Sequence, residues 1–385
     1  MIHLPFRGLH HLLRLNLNKE LKEIYISLSL REWAVQLVGI FIPIYLYTLG
    51  FPLIDILVYY LMFHVFHLLS AFLVVGKLAK RFGVKHLMLF SMPFLFGFIV
   101  VAALLQFYKG IPLVLLSFLY GMANSLYWVG FNAEFAKFSD LKNRGREMSF
   151  MYIISYFFAA CGPFIGGLLI VYFGYLVLYG VVLCMLILSV VPLFMSKDFS
   201  GKKQYKISKV FVKRSIRYDY LPHVVFGVTG AIFIFVWPLI IHLRGIFANV
   251  SGLGLLFTLT FIVGMFLAYY VGKLTDRVKN FINIAKISNV IFAILWVFRW
   301  LANTAGMLIG VEIVSGLNRS FANVPLDKYI YNRTAKSKDV VEYTVFREVS
   351  LHLFAALAIL IIILVGDIFW SPFFAGAVHL LTLLI

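Results

Sequence analysis

The sequence is poor in charged residues, in acidic residues and in cysteine. Only 13% of its 385 residues are charged, against about 25% in soluble proteins, which excludes a water-soluble globule. Asp and Glu number 16 against 34 Lys and Arg, so the net charge is +18. Cys161 and Cys184 both lie inside apolar runs, which argues against a disulfide framework, a structural zinc site and thiol redox chemistry.

Apolar residues make up 62% of the chain and are grouped in long runs. A helix that crosses a bilayer needs about 20 mostly apolar residues, because its backbone amides must be satisfied inside the hydrocarbon. Twelve runs meet this requirement, which predicts an all-α polytopic membrane protein. The predicted spans are 33–49, 54–75, 87–107, 112–135, 148–172, 175–195, 221–243, 250–271, 281–301, 305–326, 345–365 and 368–385.

The segment 1–24 precedes the first predicted span. It mixes basic residues with scattered leucines and lacks both a compact apolar core and a small-residue cleavage site, so it does not resemble a signal peptide. It is predicted to be a cytoplasmic amphipathic helix at the membrane surface. The alternative is a disordered tail, and the residues favour neither.

The basic residues are segregated between the two faces of the predicted membrane domain. With the N-terminus inside, all 34 Lys and Arg fall on one face except Lys109, Arg244 and Arg299. The positive-inside rule therefore predicts that both termini are cytoplasmic. Because the charge lies in short segments between apolar runs, it indicates membrane orientation rather than nucleic-acid binding.

The chain divides into two halves of six spans, 25–196 and 220–385, joined by a basic cytoplasmic linker over 197–219. A shift of 195 or 196 residues aligns landmarks of the two halves, which indicates an internal repeat. Because six is an even number, both copies enter the membrane in the same direction, as in two-bundle secondary transporters with a midplane solute site. The aligned landmarks are Pro43 with Pro238, Gly50 with Gly245, Gly76-Lys77-Leu78 with Gly272-Lys273-Leu274, Gly121 with Gly316, Ser125 with Ser320, and Glu147 with Glu342.

Three motifs carry a resemblance to a known family. The segment from Gly76 to Lys85, GKLAKRFGVK, resembles the signature loop of the major facilitator superfamily, G-x-L-A-D-R-x-G-R-K. The segment Gly272–Arg277, GKLTDR, resembles its second-half copy. Gly162-Pro163-Phe-Ile-Gly166-Gly167 is similar to the G-P-x-x-G-G core of the antiporter branches. The resemblance implies the major facilitator fold, with twelve transmembrane helices in two pseudo-symmetric six-helix bundles.

The same resemblance implies a gate on the cytoplasmic side. Gly76 and Gly83 are expected at the corners of the first signature loop. In the superfamily the loop's Asp interacts with a helix N-terminus of the other half, where the dipole favours a carboxylate. Asp276 should then approach the start of span 5, while Lys80, which replaces the first Asp, needs an acidic partner. The predicted gate residues are Asp276 and Arg277 with Arg144, Arg146 and Glu147, and Lys80 and Arg81 with Glu342 or Glu348. The alternative is a set of solvated loop charges.

The Gly-Pro motif of span 5 is predicted to be a helix-packing element. Gly162, Pro163, Gly166 and Gly167 remove side chains and one amide donor, so the backbone can bend and another helix can approach. The resemblance implies a tight seam that limits leakage in antiporters. A kinked packing surface with no role in coupling remains an alternative.

Polar residues inside spans are the candidate solute site, since such residues usually face a cavity. Glu312 in span 10 is the main proton-coupling candidate, and Arg319 follows on the same face about 10 Å along the axis, too far for an easy direct pair. Span 4 lacks the arginine that proton-coupled drug exporters of the superfamily carry. The predicted solute-binding residues, for an amphipathic organic molecule, are Asn124, Tyr127, Trp128, Asn132, Arg319 and Asn323. The aromatic ones have packing as their alternative role.

His64 and His67 lie three residues apart on one face of span 2. They are predicted either to couple protons or to form interhelical hydrogen bonds, with the hydrogen bonds favoured. Two histidines alone do not form a metal site, so no metal is predicted. His352 in span 11 and Glu134 in span 4 are weaker proton-coupling candidates.

The sequence predicts a secondary transporter that works by alternating access, with proton-coupled export (antiport) of a small amphipathic organic molecule as the leading hypothesis. A facilitator or symporter of an organic anion held by Arg319, a lipid translocator, and a scaffold or receptor of transporter shape are alternatives. No enzyme motif, nucleotide-binding loop or cofactor site is found in the sequence. The expected partners are the solute, protons and membrane lipids. The protein is expected to be a monomer in a prokaryotic inner membrane.

Overall fold

The computed structural model of the protein describes residues 19–39, 42–200, 219–247 and 250–385. In these ranges twelve helical segments follow one another, and they match the twelve predicted spans in order. They are α1 (Lys19–Thr48, described over Lys19–Val38 and Ile42–Thr48), α2 (Leu53–Phe82), α3 (Val84–Leu104), α4 (Leu113–Phe138), α5 (Arg144–Ile170), α6 (Leu176–Phe194), α7 (Tyr220–Leu243), α8 (Val250–Arg277), α9 (Ile282–Leu301), α10 (Ala305–Ala335), α11 (Val340–Val365) and α12 (Ser371–Leu384).

Ten of these helices are long and apolar enough to cross a membrane by length and composition. The other two are α12, which is short, and α10, which is long but polar. The polar residues of α10 include Glu312, Asp327 and Lys328, and all three are buried. The mean hydropathy of α10 is therefore lowered by residues that face the protein interior.

The first helix begins earlier than predicted. The sequence places the first span at 33–49, whereas α1 begins at Lys19, so residues 19–24 belong to this helix and not to a surface segment. Glu23 is buried there and forms an ion pair with Lys85 of α3 at 2.8 Å. The remainder of the predicted amphipathic segment, residues 1–18, lies outside the described residues.

The other helix ends differ from the predicted spans by smaller amounts. Gly174, with a φ of +78°, interrupts the helical path between α5 and α6. The predicted linker 197–219 is described only at its ends, since residues 201–218 lie outside the described ranges. Before this gap, Asp198 accepts hydrogen bonds from the backbone amides of Lys85 and His86 at 3.0 and 3.1 Å, and so caps the start of α3.

The two halves of the chain meet along two pairs of helices. α5 of the first half packs along α8 of the second, and α2 packs along α11. Each half also has its own apolar core: one is built around Tyr59, Leu95 and Leu178, and the other around Trp237, Phe257 and Ile359. Large apolar side chains such as Phe266 and Leu364 are exposed on the outer surface, as expected for a surface in contact with lipid.

Two close contacts recur at aligned positions of the repeat. A Cβ atom on Gly121 of α4 would lie 2.9 Å from the carbonyl oxygen of Phe63 in α2. A Cβ atom on Gly316 of α10 would lie 2.5 Å from the carbonyl oxygen of Thr260 in α8. The glycines therefore allow α4 to pack against α2, and α10 against α8, at matching places in the two halves.

The Gly-Pro motif of α5 packs against α1 of the same half. A Cβ atom on Gly166 would lie 2.1 Å from the carbonyl oxygen of Leu37, and one on Gly162 would lie 2.7 Å from the Cβ of Gln36. Gly167 is buried beside them. α5 stays helical through the motif, including Pro163, and its break lies further on at Gly174. The close contacts of the motif are therefore with α1, within the first half.

Candidate functional site

A cavity of about 510 Å³ lies between the two halves. Its volume is within the range of small-molecule sites, about 300 to 1,000 Å³. Much of its wall is aromatic, with Phe63 and Tyr120 from the first half and Phe233, Phe261 and Trp296 from the second. Charged side chains also contribute, and they define what the cavity can bind. They are Arg31, Glu32, Arg299 and Arg319.

Arg31, like its neighbour Glu32, is a charged residue that α1 presents to the cavity. Its Nη2 donates to Asn124 Oδ1 at 3.3 Å, and its guanidinium lies 3.8 Å from the centroid of the Tyr127 ring. Nη1 lies 3.3 Å from the carboxylate of Glu32. The Nε atom of Arg31 is buried and has no hydrogen-bond partner among the described residues. The Arg31 guanidinium is thus held on the Tyr127 ring, and its Nε–H donor is not used.

Arg299 and Glu312 form a buried ion pair in the wall contributed by the second half. Arg299 Nε donates to Glu312 Oε1 at 2.7 Å and Nη2 donates to Oε2 at 3.0 Å, an arrangement that fixes both side chains. Trp237 Nε1 also donates to Oε1 at 3.1 Å. The sequence places Arg299 near the outer end of the predicted span 281–301, and the structure shows that it is fully buried at the end of α9.

Arg319 has no carboxylate within ion-pairing distance among the described residues. Its guanidinium lies 4.2 Å from the centroid of the Phe233 ring, and Arg299 approaches the same ring at 5.4 Å. Arg319 Nε is buried without a hydrogen-bond partner. Two guanidinium groups therefore share one aromatic surface, and only one of them is neutralised by an adjacent acid.

The predicted solute-binding residues separate into two groups. Asn124, Trp128, Arg319 and Asn323 line the cavity. Tyr127 is instead buried under the Arg31 guanidinium, in an apolar cluster away from the cavity. Asn132 lies two turns beyond Asn124 on α4 and donates to Glu348 Oε1 at 2.9 Å. Tyr127 and Asn132 therefore do not line this cavity, because the sequence pattern gives a helix face but not the depth at which the cavity ends.

The proton-coupling candidates of α2 lie in a cluster with α11, which we call the His–Glu cluster: His64, His67, Glu348 and His352. His64 Nδ1 lies 2.8 Å from His352 Nδ1, and His67 Nε2 lies 3.2 Å from Glu348 Oε2. The rings of His67 and His352 are stacked with their centroids 3.3 Å apart. His64 and His352 also line the cavity. Glu134, the remaining candidate, is buried 3.8 Å from Lys85 Nζ.

Asp276 binds the N-terminus of α5 across the two halves. Its carboxylate accepts from the backbone amides of Gly145 at 2.8 Å and Arg146 at 3.0 Å, and Arg146 Nε lies 3.5 Å from it. Lys328 of α10 binds the same carboxylate at 2.6 Å. A Cβ atom on Gly145 would lie 2.6 Å from Asp276 Oδ1. We call the end of the molecule where this contact lies the Asp276 end.

Lys80 forms the second contact between the halves at this end. Its Nζ lies 3.2 Å from Glu342 Oε1 and 3.0 Å from Asp339 Oδ2. Asp339 caps α11, since its Oδ1 accepts from the amides of Val341 and Glu342. α11 therefore supplies its own capping carboxylate, and Lys80 binds that cap. This explains how a lysine fits where the signature loop of the superfamily has an aspartate.

The other predicted gate residues have different contacts. Arg144 donates to the carbonyl of Tyr331 and to Asn332 Oδ1 of α10, and so joins the halves without touching Asp276. Glu147 accepts from the amide of Asp140. Arg277 is exposed, and Arg81 lies over the Phe82 ring. Glu348 lies in the His–Glu cluster, so of the two acidic partners predicted for Lys80 and Arg81 it is Glu342 that contacts Lys80.

The two glycines of the first signature loop have different conformations. Gly83 turns the chain between α2 and α3 with a φ of +100°, a conformation that favours glycine. Gly76 is helical and lies inside α2, directly after a π-helical turn over Ala71–Val75. The predicted corner at Gly76 is therefore wrong, because α2 continues to Phe82.

Sequence reasoning missed three charged cavity residues, Arg31, Glu32 and Arg299. A signal for the first two exists, since they interrupt an otherwise apolar stretch from Ile24 onwards. Arg299 lies just before the short connection between α9 and α10, and Glu312 lies shortly after it. Two helices joined by so short a connection run antiparallel, which brings an acid and a base on either side of it close together.

The comparisons with known proteins extend these observations. A family model described as Major Facilitator Superfamily matches residues 24–219. A Bacillus subtilis (strain 168) protein described as uncharacterized protein YqgE is 23% identical over 350 residues, which cover 88% of this chain and 80% of the relative.

Two solved structures have a similar fold. The human organic anion transporter MFSD10 (TETRAN) matches with a TM-score of 0.68 and 11% identity, over 95% of this chain and 98% of that chain. The Escherichia coli fucose:proton symporter FucP matches with a TM-score of 0.69 and 11% identity, over 94% of this chain and 97% of that chain. At this level of identity the likeness shows the twelve-helix fold.

Proposed function

The protein belongs to the Major Facilitator Superfamily, whose members are secondary transporters and not enzymes, and we propose that this member carries an amphipathic organic anion together with a proton. One observation carries the proposal: Arg319 faces the central cavity on an aromatic ring without an acidic partner among the described residues. Arg319 is half-buried, and its buried Nε atom has no hydrogen-bond partner among the described residues, so an anionic solute would supply the missing acceptor. The aromatic wall would hold an apolar body.

The cavity offers binding groups from both halves. Arg31 and Asn124 lie on the first half, and Arg319 and Asn323 lie on the second. A solute that contacts both halves stabilises conformations in which both halves are close to the solute. Alternating access requires such conformations. The superfamily places its solutes between the two halves, and this cavity is lined by residues of both.

The Arg299–Glu312 pair supports proton coupling. In the present arrangement Glu312 neutralises Arg299 through two hydrogen bonds. A proton on Glu312 would remove that neutralisation and leave the Arg299 charge available to an anion in the cavity. Proton and anion would then bind together, which is symport. The antiport and export predicted from the sequence require that the proton and the solute exclude each other, and the pair favours the symport alternative.

Proteoliposome uptake tests the proposal. Amphipathic organic anions and their uncharged analogues are offered to vesicles with either an acidic exterior or an acidic interior. We expect uptake of an anion, faster with the acidic exterior, and none of the uncharged analogue. Arg319→Gln should lose uptake, whereas Lys279→Gln, which removes an exposed charge outside the cavity, should keep it.

Three results would contradict the proposal. Equal uptake by Arg319→Gln and the unmodified protein would remove the anion site. Faster uptake with an acidic interior would favour antiport. Movement of labelled phospholipid between leaflets, without solute uptake, would favour lipid translocation.

A further inference from the structure

The His–Glu cluster has the spacing of a metal site. His67 Nε2 and His352 Nε2 lie 3.2 and 3.9 Å from the same oxygen, Glu348 Oε2, and the three ligand atoms lie within 4.8 Å of one another. Two nitrogen ligands at about 2.0–2.1 Å from a tetrahedral ion are roughly 3.3 Å apart. The distance from His67 to Glu348 is close to that of a coordination shell, and the distance from His352 is longer. The two rings are stacked with an angle of 12° between their planes, so one ring has to turn out of the stack for both lone pairs to point at one ion.

His67 is fully buried, and one of its ring nitrogens has no partner. Its side chain has no solvent exposure, and its Nε2 atom lies 3.2 Å from Glu348 Oε2, while its Nδ1 atom makes no hydrogen bond among the described residues. A buried polar atom without a partner destabilises the fold, and a bound ion is one of the ways in which native proteins satisfy such groups. The Nε2 atom points to the Glu348 carboxylate, where an ion would satisfy both.

The neighbours of the cluster hold its ligands in orientations that suit a cation. Glu348 Oε1 accepts from Arg347 Nη1 at 2.7 Å and from Asn132 Nδ2 at 2.9 Å, which leaves Oε2 free to face the two histidines. His352 Nδ1 lies 2.8 Å from His64 Nδ1. If His352 carries the proton of this hydrogen bond, its Nε2 has a free lone pair. Metal-binding histidines commonly donate their other nitrogen in this way.

The charges around the cluster also permit a divalent cation. Arg347 is the adjacent positive group, and it is balanced by Glu348 at 2.7 Å and by Asp327 at 3.7 Å. The ring nitrogens of the histidines are neutral ligands when unprotonated. His64 and His352 line the central cavity, which gives an ion a path to the site.

We propose that His67 Nε2, His352 Nε2 and Glu348 Oε2 bind a divalent first-row transition-metal ion such as Zn²⁺. Two imidazoles and one carboxylate are a ligand set found in zinc sites, with a fourth position open to water. His67 lies on α2 and the other two ligands lie on α11, so the ion joins the two halves. This inference goes beyond the proposed transport function and does not depend on the identity of the solute.

Metal content of the purified protein tests the site directly. Protein prepared without a polyhistidine tag is incubated with Zn²⁺, dialysed and analysed for bound zinc, and Co²⁺ is then used as a spectroscopic probe. We expect one zinc per chain and the visible absorption of four-coordinate Co²⁺. His67→Gln, His352→Gln and Glu348→Gln should each lose both. His223→Gln, which changes a buried histidine outside the cluster, should retain them.

A fifth variant measures the orienting role of His64. His64→Ala removes the hydrogen bond to His352 but no ligand, and loss of such a partner typically lowers metal affinity about 10- to 100-fold. Size-exclusion chromatography of every variant separates loss of the site from loss of the fold. Absence of zinc from the unmodified protein, or equal zinc in monodisperse His67→Gln and His223→Gln, would overturn the proposal and leave the cluster as a hydrogen-bonded or proton-carrying group.

Discussion

At the scale of single residues, the Arg299–Glu312 pair decides the charge of the cavity. Both side chains are about 1% exposed, so each depends on the other for compensation of its charge. Removal of one member of such a pair typically costs about 3–5 kcal/mol, because a buried charge is left alone. Removal of both members costs less, because no charge is left alone.

A double-mutant cycle on this pair follows from that reasoning. Glu312→Gln and Arg299→Gln should each destabilise the protein by about 3–5 kcal/mol, and the double variant should be more stable than either. Unfolding in detergent with a chemical denaturant measures these free energies. Additive effects of the two changes would contradict a direct pair.

A transport assay on Glu312→Gln tests the coupling role of the same residue. The amide cannot take up a proton at neutral pH, so uptake should no longer respond to an imposed pH gradient. Uptake by Glu312→Gln that follows pH as in the unmodified protein would exclude Glu312 as the coupling site. Arg299→Gln is the matched variant, because it breaks the same ion pair but keeps the Glu312 carboxyl.

Residues differ in how far the sequence reveals them. The positions of Asp276 and Lys80 can be predicted from the sequence, because both residues belong to a short loop motif that occurs once in each half. Arg31 cannot be assigned in the same way, because its position depends on a helix that begins at Lys19, where the local composition is polar. The partner of Glu312 also depends on how two helices are rotated about their axes, and sequence periodicity does not give this rotation.

At the scale of helices, the N-terminus of α5 is the element that joins the halves at the Asp276 end. Two backbone amides there are satisfied by a carboxylate from α8. A charge at a helix N-terminus contributes up to about 2 kcal/mol in partly buried geometries. The contact is thus strong enough to bias the balance between two conformations and weak enough to break during each transport cycle.

Asp276→Asn should weaken this contact and favour the state open at the Asp276 end. A loss of about 1–2 kcal/mol changes the ratio of two states about 5- to 30-fold. Modification of a Ser155→Cys side chain in the cavity by a membrane-impermeant maleimide, in a protein without Cys161 and Cys184, should become faster. Asp140→Asn, an equal charge change on the same surface, should leave the rate unchanged. No change with Asp276→Asn would exclude the gate.

The contact between α1 and α5 gives a second prediction at the scale of helices. Gly166→Ala places a methyl group 2.1 Å from the carbonyl oxygen of Leu37, so the two helices must separate, at a cost of about 1–3 kcal/mol. A lower thermal unfolding temperature in detergent is expected. Gly180→Ala on α6, where a Cβ atom meets nothing within 4 Å, serves as the control and should be neutral or slightly stabilising. Equal stability of the two variants would contradict a tight seam.

At the scale of the whole molecule, the fold was more accessible from sequence than the site. Twelve apolar runs, a basic face and a repeated loop motif are properties of long segments, and errors of a few residues at their ends do not change them. The boundaries of α1 and α10 were placed wrongly because both helices contain buried charges that lower their apolar content. Several of those charged residues line the cavity or join the two halves. The candidate functional residues therefore also lower the hydropathy by which a spanning helix is predicted.

We infer that the two halves of the protein separate and close around an anion site. Spin labels on Lys142→Cys and Lys279→Cys, two exposed positions on opposite halves near the Asp276 end, measure the distance between the halves by double electron–electron resonance. The account predicts a short and a long population, whose ratio shifts when a transported anion is added and moves towards the long distance in Asp276→Asn. One unchanged distance under all of these conditions would contradict it.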